Sequence, residues 1–240
     1  ATHPELGEWG WWPNTTAEGI KVNLRLFGGD VLSPDGRRCV IDTPEGRKSF
    51  DDVANAIADG VRRLLGDPAR AVEVLGAVQN RGVLDRLDQA RGLGPILLDT
   101  QALPHPAFPD ANVRTPLIVK LDARDGDKYL SEWFGPIAFV IATDSTDQSL
   151  SIARDAVKRH GALTLALYSK DPKVVDHAIE VAEDAGVALS INLTSGVFVN
   201  QSAAFSDFHG TGANPAANAA LTDAAFVANR FRVVQHRMHV

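Results

Sequence analysis

The chain has 240 residues, 45% of them hydrophobic and 22% charged, which is the balance of a globular protein with a sizeable core in one large domain or two small ones. A formal net charge of −6 disfavours nucleic acid as a partner, because a phosphate backbone repels negative charge. No apolar run approaches the ~18 residues of a membrane span, and no signal-peptide pattern opens the chain. We therefore expect a cytoplasmic protein that binds neither nucleic acid nor membrane. A single cysteine, Cys39, excludes an intrachain disulfide.

The amino-terminal residues 1–40 show no sustained hydrophobic period, which predicts an irregular segment that packs on the core, with a short helix near 17–27. Three tryptophans stand close together in this segment: Trp9, Trp11 and Trp12. They predict an aromatic cluster that covers the core, and an exposed cluster that docks a partner is the alternative.

The helical period begins at Ser49. Apolar residues recur every three and four positions over 49–66, which predicts an amphipathic helix that ends at Gly66. Shorter helices are predicted over 69–78 and 83–90. The period then changes, and the apolar runs 95–100 and 115–123 predict strands on either side of a segment whose three prolines exclude regular structure.

A repeated pattern of strands and helices follows. It reads as strand 137–143, helix 147–160, strand 162–169, helix 173–185 and strand 187–193. Strands that are apolar throughout and joined by helical crossovers predict a mostly parallel open sheet flanked by helices. The sequence therefore predicts an α/β domain over 41–228.

The last segment, 229–240, alternates apolar and basic residues as a half-exposed strand does. A strand at a sheet edge and at a chain end is suited to pairing with another subunit, so we expect a homo-oligomer formed through this strand. His236 and His239 lie in it without a carboxylate or cysteine nearby to complete a metal shell, so no metal site is predicted.

The motif Glu132-Trp133-Phe134-Gly135-Pro136 directly precedes the strand that begins the repeated pattern. In the predicted fold it occupies a carboxyl-end loop, the position at which open α/β sheets hold ligands. A carboxylate accepts the hydroxyl hydrogens of a sugar, and a flat apolar ring supports a flat heterocycle. The structural alternative is that Glu132 caps a turn and Phe134 belongs to the core.

Glu-x-Phe-Gly-Pro followed by strand–helix–strand–helix–strand resembles the C-terminal catalytic half of the aldehyde dehydrogenase superfamily. The resemblance extends from about Gly28 to the C-terminus, and the segment 202–237 resembles the branch associated with phenylacetate degradation. It implies NAD or NADP as cofactor and an aldehyde as substrate. It also implies that Glu132 hydrogen-bonds the nicotinamide ribose and that Phe134 packs near the nicotinamide ring. Phe205 takes the position of a substrate-channel wall, although Ser and Asp replace the two glycines that follow it in the family.

The residues implied for covalent chemistry depart from the family. There a cysteine thiolate attacks the aldehyde, and in the matching stretch of this chain Leu32 stands at the cysteine position. Cys39 comes seven residues later beside two arginines that would lower its pKa, which makes it the candidate nucleophile; its alternative is a half-buried thiol in a strand. Ser33 as a nucleophile and Glu5 as a general base are weaker candidates.

Two functions remain open from the sequence. The first is an aldehyde dehydrogenase-like oxidoreductase that uses NAD or NADP and lacks the cofactor-binding half and the expected nucleophile, so that the isolated chain is inactive. The second is a catalytically inactive α/β scaffold or oligomerisation subunit that binds no cofactor by itself.

Overall fold

The computed structural model describes residues 31–32, 39–43, 46–162, 164–193 and 236–238. The chain divides into two compact units, of which the first contains residues 43–143 and the second contains residues 21–42 and 144–240. Several sequence predictions fall outside the described residues: the tryptophan cluster, the helix near 17–27, Ser33, Glu5 and Phe205.

Two short strands open the described part of the chain, β1 (Val31–Leu32) and β2 (Cys39–Thr43). They pair antiparallel, with Val31 opposite Val40 and Leu32 opposite Cys39. β1 adds a strand to the segment predicted to be irregular. The domain boundary predicted after residue 40 falls inside β2, and the predicted domain limits stay predictions.

Strand β3 (Gly46–Lys48) leads into the predicted amphipathic helix, α1 (Phe50–Leu64). A capping box begins this helix, because the Ser49 hydroxyl accepts from the Asp52 N–H at 3.2 Å and the Asp52 carboxylate accepts from the Ser49 N–H at 2.8 Å. The Ser49 N–H and the Ser49 hydroxyl each donate to the Asp52 carboxylate at 2.8 Å, and both bonds lower the pKa of Asp52. The helix buries Ala54, Ala58, Val61 and Leu64. Of the apolar residues whose spacing predicted the helix, Val61 and Leu64 are buried, and the others are half-buried: Phe50, Val53 and Ile57.

The two shorter predicted helices are also present, as α2 (Pro68–Val74) and α3 (Arg81–Ala90). Asp67 caps α2 and Pro68 occupies its first turn, where proline costs no hydrogen bond. The Asn80 side chain caps α3 by accepting from the Gly82 N–H at 2.8 Å. Both helices therefore begin before the first residue that apolar spacing alone indicated.

The rest of the first unit consists of β4 (Ile96–Leu98), β5 (Ala102–Leu103), β6 (Val113–Arg114), β7 (Leu117–Asp122), α4 (Gly126–Tyr129) and β8 (Ile137–Ala142). β7 is the central strand of a sheet in the order β4-β7-β8, parallel to β8 and antiparallel to β4. β5 and β6 pair at the two ends of the proline-containing segment. The apolar side of α3 packs with β7 and β8 in one buried cluster: Val83, Leu87, Ala90, Leu117, Val119, Leu121 and Ile137.

The second unit continues the repeated pattern as α5 (Thr146–His160), β9 (Thr164–Leu167), α6 (Pro172–Ala185), β10 (Ala188–Ile191) and β11 (His236–Met238). Its three strands are parallel in the order β11-β10-β9, and Leu189 and Ile191 of β10 are fully buried beneath the helices. β11 confirms a strand in the carboxyl-terminal segment. Pairing of this edge strand with another subunit stays a prediction.

The carboxyl ends of β9 and β10 are held together by Asn192. Its side chain accepts from the Ser169 N–H and donates to the Ser169 carbonyl, both at 2.9 Å, while its backbone N–H donates to the Leu167 carbonyl at 2.8 Å. Asn192 has a φ of 54°, a conformation that asparagine tolerates better than most residues. These bonds extend the parallel ladder past the last regular residues of both strands.

Helices flank small mixed sheets, which confirms the predicted α/β class. The pairs β7–β8, β9–β10 and β10–β11 are parallel, whereas β1–β2, β4–β7 and β5–β6 are antiparallel, so the sheets are less parallel than predicted. Within the described residues, no helix is long and apolar enough to span a bilayer.

Candidate functional site

The motif loop, residues 131–136, enters β8 at the amino-terminal edge of the sheet. The Leu117 N–H of β7 donates to the Pro136 carbonyl at 2.8 Å, and Leu117 stands opposite Ile137 in the parallel ladder. Both strands therefore begin beside this loop. The predicted position on a carboxyl-end loop was wrong, because the crossover containing α4 returns the chain to the start of β7 before β8 begins.

Gly135 fixes the path of the motif loop against α3. Its φ is +150°, a conformation that favours glycine, and a Cβ built on it would lie 2.8 Å from Cγ1 of Val83. Val83 is itself buried, with 4% of its surface exposed, so it has little room to move away. The Gly-Pro step thus permits a close approach of the loop to the helix that no other residue allows.

Phe134 is held in two ways by Arg86 of α3. The Arg86 Nε donates to the Phe134 carbonyl at 2.7 Å, and the guanidinium carbon lies 5.7 Å from the centroid of the Phe134 ring. The ring also packs at the border of the buried cluster of α3, β7 and β8, and it is half-buried. Phe134 is therefore partly a core residue, as the structural alternative proposed, and it is not completely buried.

Trp133 holds the same loop from the α4 side. Its indole N–H donates to the Lys128 carbonyl at 2.8 Å, and its ring meets the Phe139 ring edge to face, with centroids 6.1 Å apart and an interplanar angle of 82°. Sequence patterns assigned no role to this tryptophan. The residue type is the one signal in the sequence for this contact, because a tryptophan next to a turn has an indole N–H that can donate to a backbone carbonyl.

The short helix α4 is fixed by ionised groups. The Lys128 ammonium lies 2.8 Å from the Asp125 carboxylate and donates to the Leu93 carbonyl at 3.2 Å. The hydrogen bond within this pair raises the pKa of Lys128 and lowers the pKa of Asp125, so both are charged at neutral pH. Burial, followed by the nearby aspartates, raises the pKa of Tyr129, which stays protonated and donates to the Ala123 carbonyl at 2.8 Å.

Glu132 differs from the other residues of the motif because its side chain is exposed. Among the described residues, none forms a hydrogen bond or ion pair with its carboxylate. The alternative in which Glu132 caps a turn therefore gains no support from the described contacts. The motif presents one free carboxylate on a loop whose following residues are held on two sides.

The residues implied for covalent chemistry lie in the second unit. Leu32 and Cys39 are direct partners across the β1–β2 ladder, and the backbone at Cys39 is extended. The arginines beside Cys39 and the predicted channel residue Phe205 lie outside the described residues. In the described ranges, no group of three or more His, Cys, Asp or Glu side chains is arranged to hold a metal ion.

No family model matches the chain, and no curated protein sequence is significantly similar to it. Among solved structures, the crystal structure of an NAD-dependent aldehyde dehydrogenase from Burkholderia multivorans is similar, with a TM-score of 0.70 and 66% sequence identity over 85% of this chain. The chain spans 37% of the length of that enzyme. Two-thirds identity over most of the chain, together with the shared α/β architecture, is far beyond chance similarity. The similarity confirms that the chain resembles part of an enzyme of the aldehyde dehydrogenase superfamily.

Proposed function

We propose that the motif loop is part of the nicotinamide-binding surface of an aldehyde dehydrogenase-like protein. Glu132 accepts hydrogen bonds from the nicotinamide ribose, and Phe134 supports the nicotinamide ring. The observation that carries this proposal is the exposed Glu132 carboxylate, which has no described partner and precedes a loop held in place by α3 and α4. The similarity to an NAD-dependent enzyme favours NAD over NADP as the cofactor.

The chemistry of the ribose fits this carboxylate. A ribose offers two neighbouring hydroxyl donors, and an ionised carboxylate has two oxygens that accept them without a competing intramolecular bond. Because Phe134, Gly135 and Pro136 are already fixed, little backbone freedom is lost when the ligand binds. The exposed part of the Phe134 ring gives the flat nicotinamide an apolar surface to pack on.

For the substrate, we propose an aldehyde formed in the degradation of aromatic compounds such as phenylacetate. The support is the resemblance of residues 202–237 to the phenylacetate branch of the superfamily, in which Phe205 takes the place of a channel wall. An aromatic wall suits an aromatic or otherwise apolar aldehyde, because it buries apolar surface of the substrate.

Cys39 is the candidate nucleophile for aldehyde oxidation. Leu32, at the family position of the nucleophile, has no group that can add to a carbonyl carbon. The ladder register places Cys39 directly opposite Leu32, so the one cysteine of the chain stands at the position adjacent to the lost nucleophile. A thiolate there would supply the covalent addition that leucine cannot perform.

The second candidate function is an inactive scaffold or oligomerisation subunit, which is favoured by Leu32 and by the edge strand β11. β11 pairs with β10 along one side, and no described strand pairs along its other side. Met238 of β11 is 49% exposed, so its apolar side chain is available to an interface. In this function the chain forms a homo-oligomer, and the motif loop takes no part in catalysis.

A thiol-labelling experiment combined with a dehydrogenase assay distinguishes the two functions. If Cys39 is the nucleophile, it should label rapidly at neutral pH, and the chain should reduce NAD or NADP when an aldehyde is added. Slow labelling of Cys39 without turnover would favour the inactive scaffold. If the Cys39→Ser variant then lost both signals, the catalytic role would be assigned to Cys39.

A further inference from the structure

We propose that Arg86 is a positioning residue for cofactor binding: it sets the orientation in which the Phe134 ring meets the nicotinamide. This inference rests on the proposed function of the motif loop. Arg86 lies 48 residues before Phe134 in the chain, on a different element, and the sequence patterns assign it no role.

The two contacts of Arg86 fix different parts of Phe134. The bond from Nε to the Phe134 carbonyl, at 2.7 Å and partly buried, fixes the backbone from which the ring projects. The guanidinium, 5.7 Å from the ring centroid, is within the ~6 Å at which a cation is attracted to an aromatic face. Together the two contacts restrain the backbone position of Phe134 and the orientation of its ring plane.

The guanidinium also restricts which part of Phe134 a ligand can use. It lies over one face of the ring. A flat heterocycle that packs on Phe134 would then use the opposite face or the edge, and this restriction would orient a bound nicotinamide more narrowly than a ring open on both faces does.

Arg86 is in turn held by a rigid helix. α3 is capped by Asn80, and its buried side contributes Val83, Leu87 and Ala90 to the core of the first unit. A Cβ built on Gly82 would lie 3.6 Å from Nη1 of Arg86, which places the guanidinium back along the helix toward its first turn. The position of the Phe134 ring is thus set by the helix rather than by the loop alone.

The test compares Arg86→Leu with the unmodified chain in titrations with NAD⁺ and with ADP-ribose, which keeps the terminal ribose but lacks nicotinamide. We expect Arg86→Leu to raise the Kd for NAD⁺ roughly tenfold and the Kd for ADP-ribose less than twofold. Arg86→Lys, which keeps a cation and a donor, should recover part of the NAD⁺ affinity.

Arg62 supplies a matched control, because it also donates from a helix to a backbone carbonyl of the first unit, that of Leu97. Arg62→Leu should leave the ratio of the two Kd values unchanged. A second readout needs no ligand: in ¹³C spectra of labelled phenylalanine rings, Arg86→Leu should shift the Phe134 resonances, whereas Arg62→Leu should not.

The outcomes separate this inference from the proposed function. If Phe134→Ala weakens NAD⁺ binding and Arg86→Leu does not, Arg86 has no positioning role and the proposed function stands. Unchanged Phe134 resonances in Arg86→Leu would overturn the inference as well. If the unmodified chain does not bind NAD⁺, or Phe134→Ala binds it equally well, the proposed function fails and this inference fails with it.

Discussion

Replacing Gly135 by alanine is expected to lower the free energy of unfolding of the first unit by about 2–5 kcal/mol. Two costs combine in this substitution. Alanine is strained at a φ of +150°, and its Cβ would lie 2.8 Å from Cγ1 of the buried Val83, so the loop or the helix must move. Hydrogen exchange at the amides of β7 and β8 measures the effect within the first unit, which a global melt of a two-unit chain does not isolate.

Gly46→Ala is the matched control for this prediction. Gly46 also has a positive φ, +107°, but no heavy atom of the described residues lies within 4 Å of a Cβ built there, so its substitution adds strain without a described clash. Val83→Ala removes the clashing methyl groups, and the double variant should be less destabilised than the sum of the two single variants. Equal effects of Gly135→Ala and Gly46→Ala would show that the close approach of the loop to α3 contributes nothing.

Replacing Glu132 by glutamine is expected to raise the Kd for NAD⁺ and for ADP-ribose by about 10- to 100-fold, because each loses charge-assisted hydrogen bonds from the ribose hydroxyls. ADP, which lacks the terminal ribose, should bind the variant and the unmodified chain alike. The free energy of unfolding should change by less than about 0.5 kcal/mol, since Glu132 is exposed and has no described partner.

Glu73→Gln, at an exposed position of α2 in the same unit, controls for the loss of one negative charge. It should leave all three affinities unchanged. Glu132 does not contact the nicotinamide ribose if Glu132→Gln leaves the Kd values for NAD⁺ and ADP-ribose unchanged. The same conclusion follows if the variant raises the Kd for ADP by the same factor.

These two substitutions probe different properties of one loop. Gly135 determines whether the loop can reach its observed path, whereas Glu132 is the group that this path presents to a ligand. The loop is held by α3 and α4 and presents an exposed carboxylate, so this carboxylate is accessible to a ligand.

Much of the local structure follows from sequence patterns. Apolar spacing predicted the helices α1, α5 and α6, and their ends are explained by Ser49, Ser145 and Asp171 as caps and by Gly186 in the left-handed conformation. The continuous apolar runs predicted β7, β8 and β10. β7 and β10 are mostly buried, whereas β8 is buried at Ile137 and Ala142 and half-buried between them. These features depend on neighbours within a few residues, which a pattern can report.

The arrangement of the candidate site depends on contacts that no local pattern reports. Arg86 and Phe134 meet across 48 residues, and the register of Leu32 with Cys39 is a property of the paired strands. The motif was predicted at the carboxyl ends of the strands, and this was wrong. Its position depends on where the crossover from β7 returns to the sheet, which local patterns do not report. The motif Glu132-to-Pro136 itself could be identified from the sequence, since its chemistry is carried by residue types.

The most direct test of the proposed cofactor site is a crystal structure of the chain with NAD⁺ bound. We predict that the Glu132 carboxylate lies within about 2.5–3.0 Å of the two hydroxyls of the nicotinamide ribose, and that the nicotinamide packs on the part of the Phe134 ring not covered by Arg86. A nucleotide bound away from the motif loop, or an absence of bound nucleotide at saturating NAD⁺, would contradict the proposal.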